Sequence, residues 1–482
     1  MIIKALIASG AFAVAAAFAP AAPPVGAADI DSVVEEYLRS TGLPGAAVAV
    51  TQGDEVVRAA GYGRTPAGEP VTEHTTMAVA SVSKSFTALA VMQLAEAGRV
   101  DLDEPVRSYL PEFTTSDPRA ARITVRQLLD QTSGLSDATY PPFNRPQPDS
   151  LRSAVAEMSS AKLAAEPGTR WEYHNPNFQV AARLVEVVAG QPFDDYLQEH
   201  VFAPLGMTDS RTIDTASELP PSAHGHLMVL GSAVAVPEPP AFGGGSGGML
   251  SSAHDMSAWL IAQNNGGRGP GGAAIATATT IAATHAPSSE ISGDYALGWS
   301  VGTTGSGAPI IAHSGDLFTA TAYQALLPAS GYGIAVMANT GLAYGDAKAI
   351  ADQLIALLEG TPAPVPNAPF VVADAVLLVL TAGAALLAIR GVLRSRRWAT
   401  KRSSAVRAAF RLLPLSIPLL VFVFIDRVVS TLYRGRDVAW IQVPYLYPTF
   451  MLLLATAAIG SVAVLSARLL RLAQAARAGR SA

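Results

Sequence analysis

The chain has 482 residues, a net charge of −5 and no cysteine, and 50% of its residues are hydrophobic. The lack of cysteine excludes disulfides, thiolate metal sites and cysteine nucleophiles. The small net negative charge gives no indication of nucleic-acid binding. A hydrophobic fraction this high predicts membrane segments beside a soluble part.

The N-terminus has the features of an export signal. Lys4 precedes an uncharged apolar run, Ala5–Ala19, and the small residues 25–28 offer a cleavage site. We expect a signal peptide over residues 1–28, with an uncleaved N-terminal anchor as the alternative. In either case the following domain is expected outside the cytoplasm.

Residues 29–360 have the pattern of an α+β or mixed domain, without regular βαβ alternation or internal repeats. A surface helix is predicted over Ile30–Ser40, and two apolar runs around Gln52–Asp54 predict a hairpin. Helices dominate the middle of the domain and strands its end. The predicted helices are Ser81–Ala97, Phe178–Val188, Ala253–Gln263 and Tyr344–Leu358, and the late strands are Ala296–Val301, Ile310–Ala312, Ala322–Leu327 and Gly333–Ala338.

Ser81 and Lys84 stand at the start of the first of these helices. Residues three apart share a helix face, so a hydroxyl and an amine would point into the same space. A serine hydroxyl needs a base to become a nucleophile, and burial lowers the pKa of a lysine towards that of such a base. The alternative is a solvated helix start with Ser81 as its N-cap.

Two further stretches carry reactive or polar groups. Tyr173 and Asn175 lie two residues apart before a helix, so in an extended segment their side chains share a face. His313-Ser314-Gly315 lies between apolar runs, and a small residue there lets a ligand backbone approach an edge strand. Taken alone, each is also compatible with an ordinary loop or strand end.

Together and in this order, these residues resemble the serine β-lactamase and penicillin-binding-protein superfamily, in its class C-like branch. That family carries Ser-x-x-Lys, then Tyr-x-Asn, then Lys- or His-x-Gly on a strand. Other stretches that look like the family are residues 131–135, 204–208, 247–251 and 297–299. The resemblance covers roughly residues 30–360 and implies a central antiparallel sheet flanked by helices, an all-helical lobe, and a site between them.

The resemblance also implies roles, and it implies no cofactor and no metal. Ser81 would form an acyl-enzyme, while Lys84 and Tyr173 would share the proton transfers, with the identity of the base left open. Asn175 would bind the substrate amide and help to hold Lys84. The backbone N–H groups of Ser81 and Asp316 would form the oxyanion hole. The implied substrate-binding residues are Asn175, His313, Ser314, Gly315 and Asp316.

Two departures from the family pattern stand out. His313 replaces the usual lysine, so capture of a substrate carboxylate is expected to be weak at pH 7.5 and to grow only as the pH falls towards about 6.5. Neutral amide substrates should therefore be preferred over carboxylate-terminated D-Ala-D-Ala peptides. Asp130-Gln131 stands where relatives usually carry a histidine, and we interpret it as structural.

Two other patterns are interpreted as unrelated to the chemistry. His224 and His226 lack a third ligand at a suitable spacing, which favours surface loop histidines over a metal site. The glycine-rich run Gly243–Gly248 lacks the spacing and the lysine of a phosphate loop, so a mobile loop at the rim of the cleft is expected.

The C-terminal part, residues 370–482, is expected to be a membrane domain that follows a proline-rich linker over residues 361–369. Spanning helices are predicted at about 370–389, 412–432 and 443–465. The second contains Asp426-Arg427; we expect a tilted span with this pair near the outer leaflet, and the alternative is a helix that ends at Ile425.

The charge pattern predicts the orientation of these helices. Residues 390–411 contain eight Lys or Arg and no acid, and four arginines follow residue 467. By the positive-inside rule both segments are cytoplasmic. Three spans then place the residues before Phe370 outside the cytoplasm, in agreement with the signal peptide.

This architecture resembles membrane-bound prodrug-activating peptidases of the colibactin-maturation type. The leading hypothesis is a membrane-anchored extracytoplasmic serine peptidase or amidase that acts on an acylated D-amino-acid or peptide substrate. Its partners would be that small substrate and the lipid bilayer, without nucleic acid. The alternatives are a D,D-carboxypeptidase or β-lactamase, and an acylated membrane sensor.

Overall fold

The computed structural model describes residues 25–366, 370–400, 404–433 and 435–478. Residues 1–24 of the predicted signal peptide and residues 367–369 of the predicted linker lie outside the described residues.

The secondary structure comprises an α+β part followed by helices. The strands are β1 (Gly45–Gln52), β2 (Glu55–Gly63), β3 (Met77–Ala78), β4 (Arg211–Thr212), β5 (Gly225–Val229), β6 (Ser232–Val236), β7 (Met249–Ser251), β8 (Ser300–Thr303), β9 (Pro309–Asp316), β10 (Thr321–Leu327) and β11 (Tyr332–Ala338). The helices of this part are α1 (Ala27–Thr41), α2 (Ser83–Glu96), α3 (Val106–Tyr109), α4 (Val125–Leu129), α5 (Leu151–Glu157), α6 (Asn175–Ala189), α7 (Phe193–Leu197), α8 (Ala203–Leu205), α9 (Ala253–Asn264), α10 (Ala278–Thr284) and α11 (Asp346–Glu359). Those that follow are α12 (Val371–Leu393), α13 (Ser395–Thr400), α14 (Ala405–Leu412), α15 (Ile417–Val423), α16 (Ile425–Leu432), α17 (Val443–Leu446) and α18 (Pro448–Ala478).

A six-stranded antiparallel sheet organises the N-terminal part, in the order β2-β1-β11-β10-β9-β8. Near its centre Val48 pairs with Val336 of β11 and with Ala60 of β2. The side chains of β10 and β11 are buried along their whole length, because helices cover both faces of the sheet. Helices α1 and α11 pack on one face and α9 on the other, which confirms the predicted α+β architecture.

A lobe of helices packs beside the sheet and encloses α2. Phe86 of α2 stacks on Trp259 of α9, with ring centroids 3.7 Å apart. The core of the lobe also contains Phe178 of α6 and Leu128 of α4, both fully buried. Helix α2 therefore lies at the junction of lobe and sheet, and its first turn faces the space between them.

Two boundaries differ from the sequence-based expectation near that first turn. Ser81 lies in a 3₁₀ turn, Ala80–Val82, and the α-helix begins only at Ser83. The predicted strand Ala296–Val301 is wrong in its first half, because Gly298 has a φ of 74° and β8 starts at Ser300. A Cβ at Gly298 would lie 2.6 Å from the carbonyl oxygen of Lys84, so this turn packs directly on α2.

Three helices in the described part of the chain are long and apolar enough to cross a membrane: Val371–Leu393, Val406–Val423 and Pro448–Arg477. The second differs from the predicted range 412–432. Helical geometry breaks at Phe424, with φ −110° and ψ 22°, so Asp426 and Arg427 belong to the separate helix α16. The alternative that ended this helix at Ile425 is thus closer to the structure than the tilted span. The third helix begins at Pro448, later than the predicted 443.

A buried carboxylate joins the N-terminal part to these apolar helices. Asp374 of α12 accepts hydrogen bonds from the backbone N–H of Leu230 and from Oγ1 of Thr449, both at 2.7 Å. Leu230 lies in the turn between β5 and β6, and Thr449 lies in α18. One side chain therefore connects the hairpin to two of the apolar helices.

We expect Asp374→Ala to destabilise the full-length chain. The substitution leaves the buried Thr449 hydroxyl and the partly buried Leu230 N–H without their acceptor, at a cost of about 1–3 kcal/mol for a fully buried group. The midpoint of thermal unfolding in detergent should fall by about 4 °C or more. Asp426→Ala, which removes a carboxylate without a hydrogen-bond partner among the described residues, is the matched control and should shift the midpoint by less than about 1 °C. Equal midpoints for the two variants would contradict the role of Asp374 in joining the N-terminal part to the apolar helices.

Candidate active site

Ser81 projects from a strained turn at the base of the cleft. The preceding residue, Ala80, has a φ of 48°, a left-handed conformation that is uncommon for a residue with a side chain. Such strain persists where the surrounding structure holds it and is concentrated at functional sites. The turn leads directly into α2, which places Lys84 one turn beyond Ser81 on the same side.

Lys84 is fully buried beside Ser81. Its Nζ hydrogen bonds to Ser81 Oγ at 2.9 Å and donates to the carbonyl oxygen of Ser246 at 2.6 Å. Burial lowers the pKa of Lys84 well below its usual value of 10.5, and the positive charge of Arg436 lowers it further. The neutral amine is therefore favoured.

The acceptor at Ser246 corrects the expectation for the glycine-rich run, which is a packed element of the site and not a mobile rim. A Cβ at Gly245 would lie 2.3 Å from the Cβ of Ala182, and the carbonyl of Gly245 accepts a hydrogen bond from Thr87 at 2.6 Å. The glycines permit close backbone approach to α2 and α6, which brings the Ser246 carbonyl to the lysine.

Tyr173 is the second side chain that hydrogen bonds to Ser81 Oγ. Its hydroxyl donates to Ser81 Oγ at 2.9 Å. Burial raises the pKa of Tyr173 to about 12, although the hydrogen bond to Ser81 and the charge of Arg436 act to lower it. The phenol is therefore protonated at neutral pH and is a proton donor.

Gln131 anchors the segment that carries Tyr173. Its Oε1 accepts hydrogen bonds from the backbone N–H of His174 at 3.0 Å and from Nδ2 of Asn177 at 2.6 Å, and its carbonyl accepts from Glu172 N–H at 2.9 Å. Gln131 is buried and has a φ of 63°. The structural interpretation of Asp130-Gln131 agrees with this arrangement, but no sequence pattern indicated that Gln131 positions the tyrosine.

Asn175 begins α6 and lines the cavity. Among the described residues its Oδ1 is buried without a hydrogen-bond partner. The expectation that Asn175 helps to hold Lys84 is not met, because the hydrogen bonds of the lysine go to Ser81 and Ser246. The polar atom of Asn175 remains available to a ligand.

The strand β9 brings His313–Asp316 against the Ser81 turn. Strand β8 pairs only with Pro309–Ala312 of β9. The other half of β9, His313–Asp316, therefore has one edge turned towards the site. A Cβ at Gly315 would lie 2.2 Å from the carbonyl oxygen of Val79, which explains the need for glycine here. Ser314 and Asp316 line the cavity, and burial raises the pKa of Asp316.

His313 is buried and neutral, which corrects its expected pH dependence. Its Nε2 lies 3.1 Å from the hydroxyl of Tyr295, and its Nδ1 lies 2.6 Å from the carbonyl oxygen of Ser314, to which it donates. Burial, together with the charge of Lys84, lowers the pKa of His313 to about 3. It therefore gains no charge as the pH falls towards 6.5, and a rise in carboxylate capture from that source is not expected.

The cavity beside Ser81 has a volume of about 500 Å³. Phe143, Trp171, Tyr295 and Phe318 give it aromatic sides. A further side is formed by residues 433 and 435–447, which connect α16 to α18 and which we call the α16–α18 segment. No sequence pattern indicated this contribution, because residues 433–442 were expected only as a loop between apolar helices and residues 443–447 as the start of the third span. The residues of this segment that line the cavity are Tyr433, Arg436, Asp437, Val438 and Leu446.

The histidines outside the cavity do not form the expected surface pair. His226 is buried in β5, with its Nδ1 3.0 Å from the carbonyl oxygen of Asn339. Among the residues described, ligand atoms of His74, Asp209 and His254 lie within 4.8 Å of one another. None of the three lines the cavity beside Ser81, so the chemistry of that site does not involve them.

Comparisons with known proteins agree with this geometry. The sequence model of the Beta-lactamase family matches residues 30–358. The chain is 30% identical over 345 residues to penicillin-binding protein 4 of Amycolatopsis lactamdurans, a match that covers 68% of this chain and 89% of the relative. It is 28% identical over 325 residues to protein flp of Staphylococcus aureus strain MW2, where the match covers 65% of this chain and only 63% of the relative.

A solved structure shows the same fold. The octameric penicillin-binding protein homologue from Pyrococcus abyssi superimposes with a TM-score of 0.57 at 25% identity, covering 73% of this chain and 81% of the other.

The lowered pKa of Lys84 predicts a flat alkaline pH profile. We expect the rate at which a fluorophosphonate probe labels the protein to level off well below pH 10.5, the usual pKa of a lysine, because burial favours the neutral amine of Lys84 and Tyr173 is still protonated there. Probe hydrolysis without protein, measured at each pH, is the control. A rate that climbs about tenfold per pH unit towards 10.5 would indicate an ordinary lysine and contradict the prediction.

Proposed function

This chain belongs to the beta-lactamase family of serine hydrolases, and we propose that Ser81 is its nucleophile, with Lys84 and Tyr173 as the acid–base pair. One observation carries the proposal: the Lys84 amine and the Tyr173 phenol each form a separate hydrogen bond with Ser81 Oγ, both at 2.9 Å. A nucleophile needs a base within hydrogen-bond reach, and the departing group needs an acid.

The opposite pKa shifts assign the two proton roles. Lys84 is favoured as the neutral amine and Tyr173 as the protonated phenol. The neutral amine has one lone pair that can accept the Ser81 proton, and the Ser246 carbonyl orients it by accepting one of its N–H groups. For the choice that the sequence left open, we therefore propose Lys84 as the base in acylation and Tyr173 as the acid.

The proposed acylation begins at Ser81. The Ser81 proton passes to Lys84 as Oγ attacks the substrate carbonyl carbon, and the carbonyl oxygen becomes an oxyanion. When the carbon–nitrogen bond breaks, the amine leaves with the proton of Tyr173, and Lys84 returns a proton to the phenolate. Water then hydrolyses the acyl-enzyme, with the same groups accepting and returning its proton.

The remaining predicted residues would bind the substrate. The backbone N–H groups of Ser81 and Asp316 would stabilise the oxyanion, and the absence of a side chain at Gly315 keeps their two segments close. Asn175 and Ser314 would bind the amide next to the scissile bond, since both line the cavity and Asn175 Oδ1 has no partner among the described residues.

The proposed substrate is an acylated D-amino acid or peptide with a scissile amide. Aromatic sides formed by Phe143, Trp171 and Phe318 favour an apolar acyl group, and apolar helices adjoin the cavity through Leu446. A D,D-carboxypeptidase or β-lactamase activity is the second candidate, favoured by the likeness to a penicillin-binding protein. An acylated membrane sensor would share the first chemical step but would not turn over.

We expect Ser81→Ala to abolish fluorophosphonate labelling, because the variant removes the attacking oxygen and little else. Ser217→Ala, at an exposed serine, is the matched control and should label at the wild-type rate. Labelling of Ser81→Ala at the wild-type rate would disprove the nucleophile assignment.

A separate experiment distinguishes a hydrolase from a sensor. Intact-protein mass spectrometry after incubation with an N-acyl-D-amino-acid amide, a D-Ala-D-Ala peptide or a β-lactam measures both acylation and release. Loss of the acyl group with accumulation of product supports the hydrolase, whereas a persistent acyl adduct with every substrate supports the sensor.

We also propose that the enzyme is a multi-pass membrane protein with its catalytic part outside the cytoplasm. The three apolar helices have sufficient length and composition to cross a membrane, and the basic residues of 390–411 and of the C-terminal end of α18 favour the cytoplasmic side. The joint at Asp374 would then hold the catalytic part close to the outer surface of the bilayer.

The lack of cysteine makes this topology directly testable. Single-cysteine variants Ser217→Cys and Thr400→Cys place a thiol at exposed positions in the catalytic part and after α12. In intact cells a membrane-impermeant maleimide should label Ser217→Cys, and it should label Thr400→Cys only after permeabilisation. The opposite pattern would reverse the orientation.

A further inference from the structure

The α16–α18 segment is attached to the catalytic part by a buried aspartate. Asp437 accepts hydrogen bonds from the backbone N–H of Phe143 at 2.6 Å and of Asn144 at 3.1 Å, and from Nδ2 of Asn144 at 2.6 Å. Its own backbone N–H donates to Asp137 Oδ2 at 3.0 Å. These contacts fix the position of the neighbouring residue, Arg436.

Arg436 lies over the tyrosine of the site. Its guanidinium carbon is 4.7 Å from the centre of the Tyr173 ring, and its Nε is 3.0 Å from Asp137 Oδ2. Stacking on an aromatic face holds a guanidinium without using its N–H donors. The two terminal nitrogens have no hydrogen-bond partner among the described residues, and 38% of the side chain is exposed, where it lines the cavity.

Arg436 is also the one fixed cation on the described lining of that cavity. Ser81, Asn175, Ser314 and the aromatic residues around them carry no charge, and His313 is neutral. Lys84 lies beneath Ser81, fully buried, with the neutral amine favoured. The positive charge that strand β9 lacks at His313 is thus supplied to the cavity lining by a different part of the chain.

We propose that Arg436 is a substrate-binding residue of this hydrolase, and that its terminal N–H groups bind a carboxylate on the leaving-group side of the scissile amide. The side follows from the stacking: Arg436 covers Tyr173, which the proposed mechanism makes the proton donor to the leaving amine. The inference rests on the proposed function. It reverses the preference for neutral amides that His313 alone suggested.

The acidic groups near Arg436 leave its terminal nitrogens available. Asp137 is shared among His174 Nδ1 at 2.7 Å, the Asp437 N–H and Arg436 Nε, and Asp437 is occupied by Phe143 and Asn144. An arginine has five N–H donors in a planar arrangement that fits a carboxylate. The contact at Nε therefore leaves the N–H groups of the two terminal nitrogens available to a ligand. Asp316 faces the same cavity from β9, and its raised pKa reduces its repulsion of a bound carboxylate.

A protection experiment on the full-length protein tests this assignment without requiring turnover. The probes are N-octanoyl-D-Ala-D-Ala, which ends in a carboxylate, and its C-terminal carboxamide. Each is measured for its ability to slow fluorophosphonate labelling in wild type, Arg436→Gln and Arg436→Lys. We expect the carboxylate to protect the wild type at a lower concentration than the carboxamide. In Arg436→Gln that preference should fall by about 10- to 100-fold, the loss expected for a charge-assisted hydrogen bond, and Arg436→Lys should restore part of it.

Arg427→Gln is the matched control, because Arg427 stacks on Phe424 with its guanidinium carbon 5.2 Å from the ring centre and does not line the cavity. It should keep the wild-type preference. Equal or absent protection of the wild type by the two probes, or an unchanged preference in Arg436→Gln, would overturn the proposal. Failure of the proposed function is a different result, namely labelling that survives Ser81→Ala.

Discussion

The structure depends on the burial of one amine. Lys84 lies in the core with its Nζ between Ser81 Oγ and the Ser246 carbonyl, and removing an amine from water disfavours its charged form. The elements around it maintain that burial: α2 carries the lysine, the glycine-rich run closes over it, and the turn at Gly298 covers the start of the helix. Burying this polar group costs stability, and the same burial favours the neutral amine that the proposed mechanism needs as its base.

The tyrosine is the counterpart of this arrangement. The same low-polarity surroundings that favour the neutral amine also favour the neutral phenol, so burial shifts the pKa of Lys84 down and that of Tyr173 up. One environment thus favours a proton acceptor and a proton donor within hydrogen-bond distance of a single hydroxyl. Gln131 matters for this reason, since it positions the backbone next to Tyr173 through two hydrogen bonds of one carbonyl oxygen.

The sequence allowed much of this to be predicted, for definite reasons. Ser81 and Lys84 are three residues apart, so local geometry brings them together, and the order of the three motifs identified the fold. His313 was found by residue type, but its neutrality depends on burial against Tyr295, which no local pattern encodes. The hydrogen bond from Lys84 to Ser246 could not be predicted from residue type, because its acceptor is a backbone carbonyl oxygen. Arg436 could not be predicted as a site residue, because it is distant from Tyr173 in sequence and only the fold brings the two together. The end of the second apolar helix was misplaced because composition alone does not mark the break at Phe424.

The α16–α18 segment also sets the order in which the site is completed during biosynthesis. The strands and helices that hold Ser81, Lys84 and Tyr173 precede residue 360, whereas Arg436 emerges from the ribosome only after two of the three apolar helices. Domains generally fold as units during synthesis, the N-terminal one first, so a nascent chain is expected to contain Ser81, Lys84 and Tyr173 in place while one side of the cleft is still open. The cleft closes when Asp437 reaches Phe143 and Asn144. Maturation of the cleft is therefore coupled to the assembly of the helices that follow it.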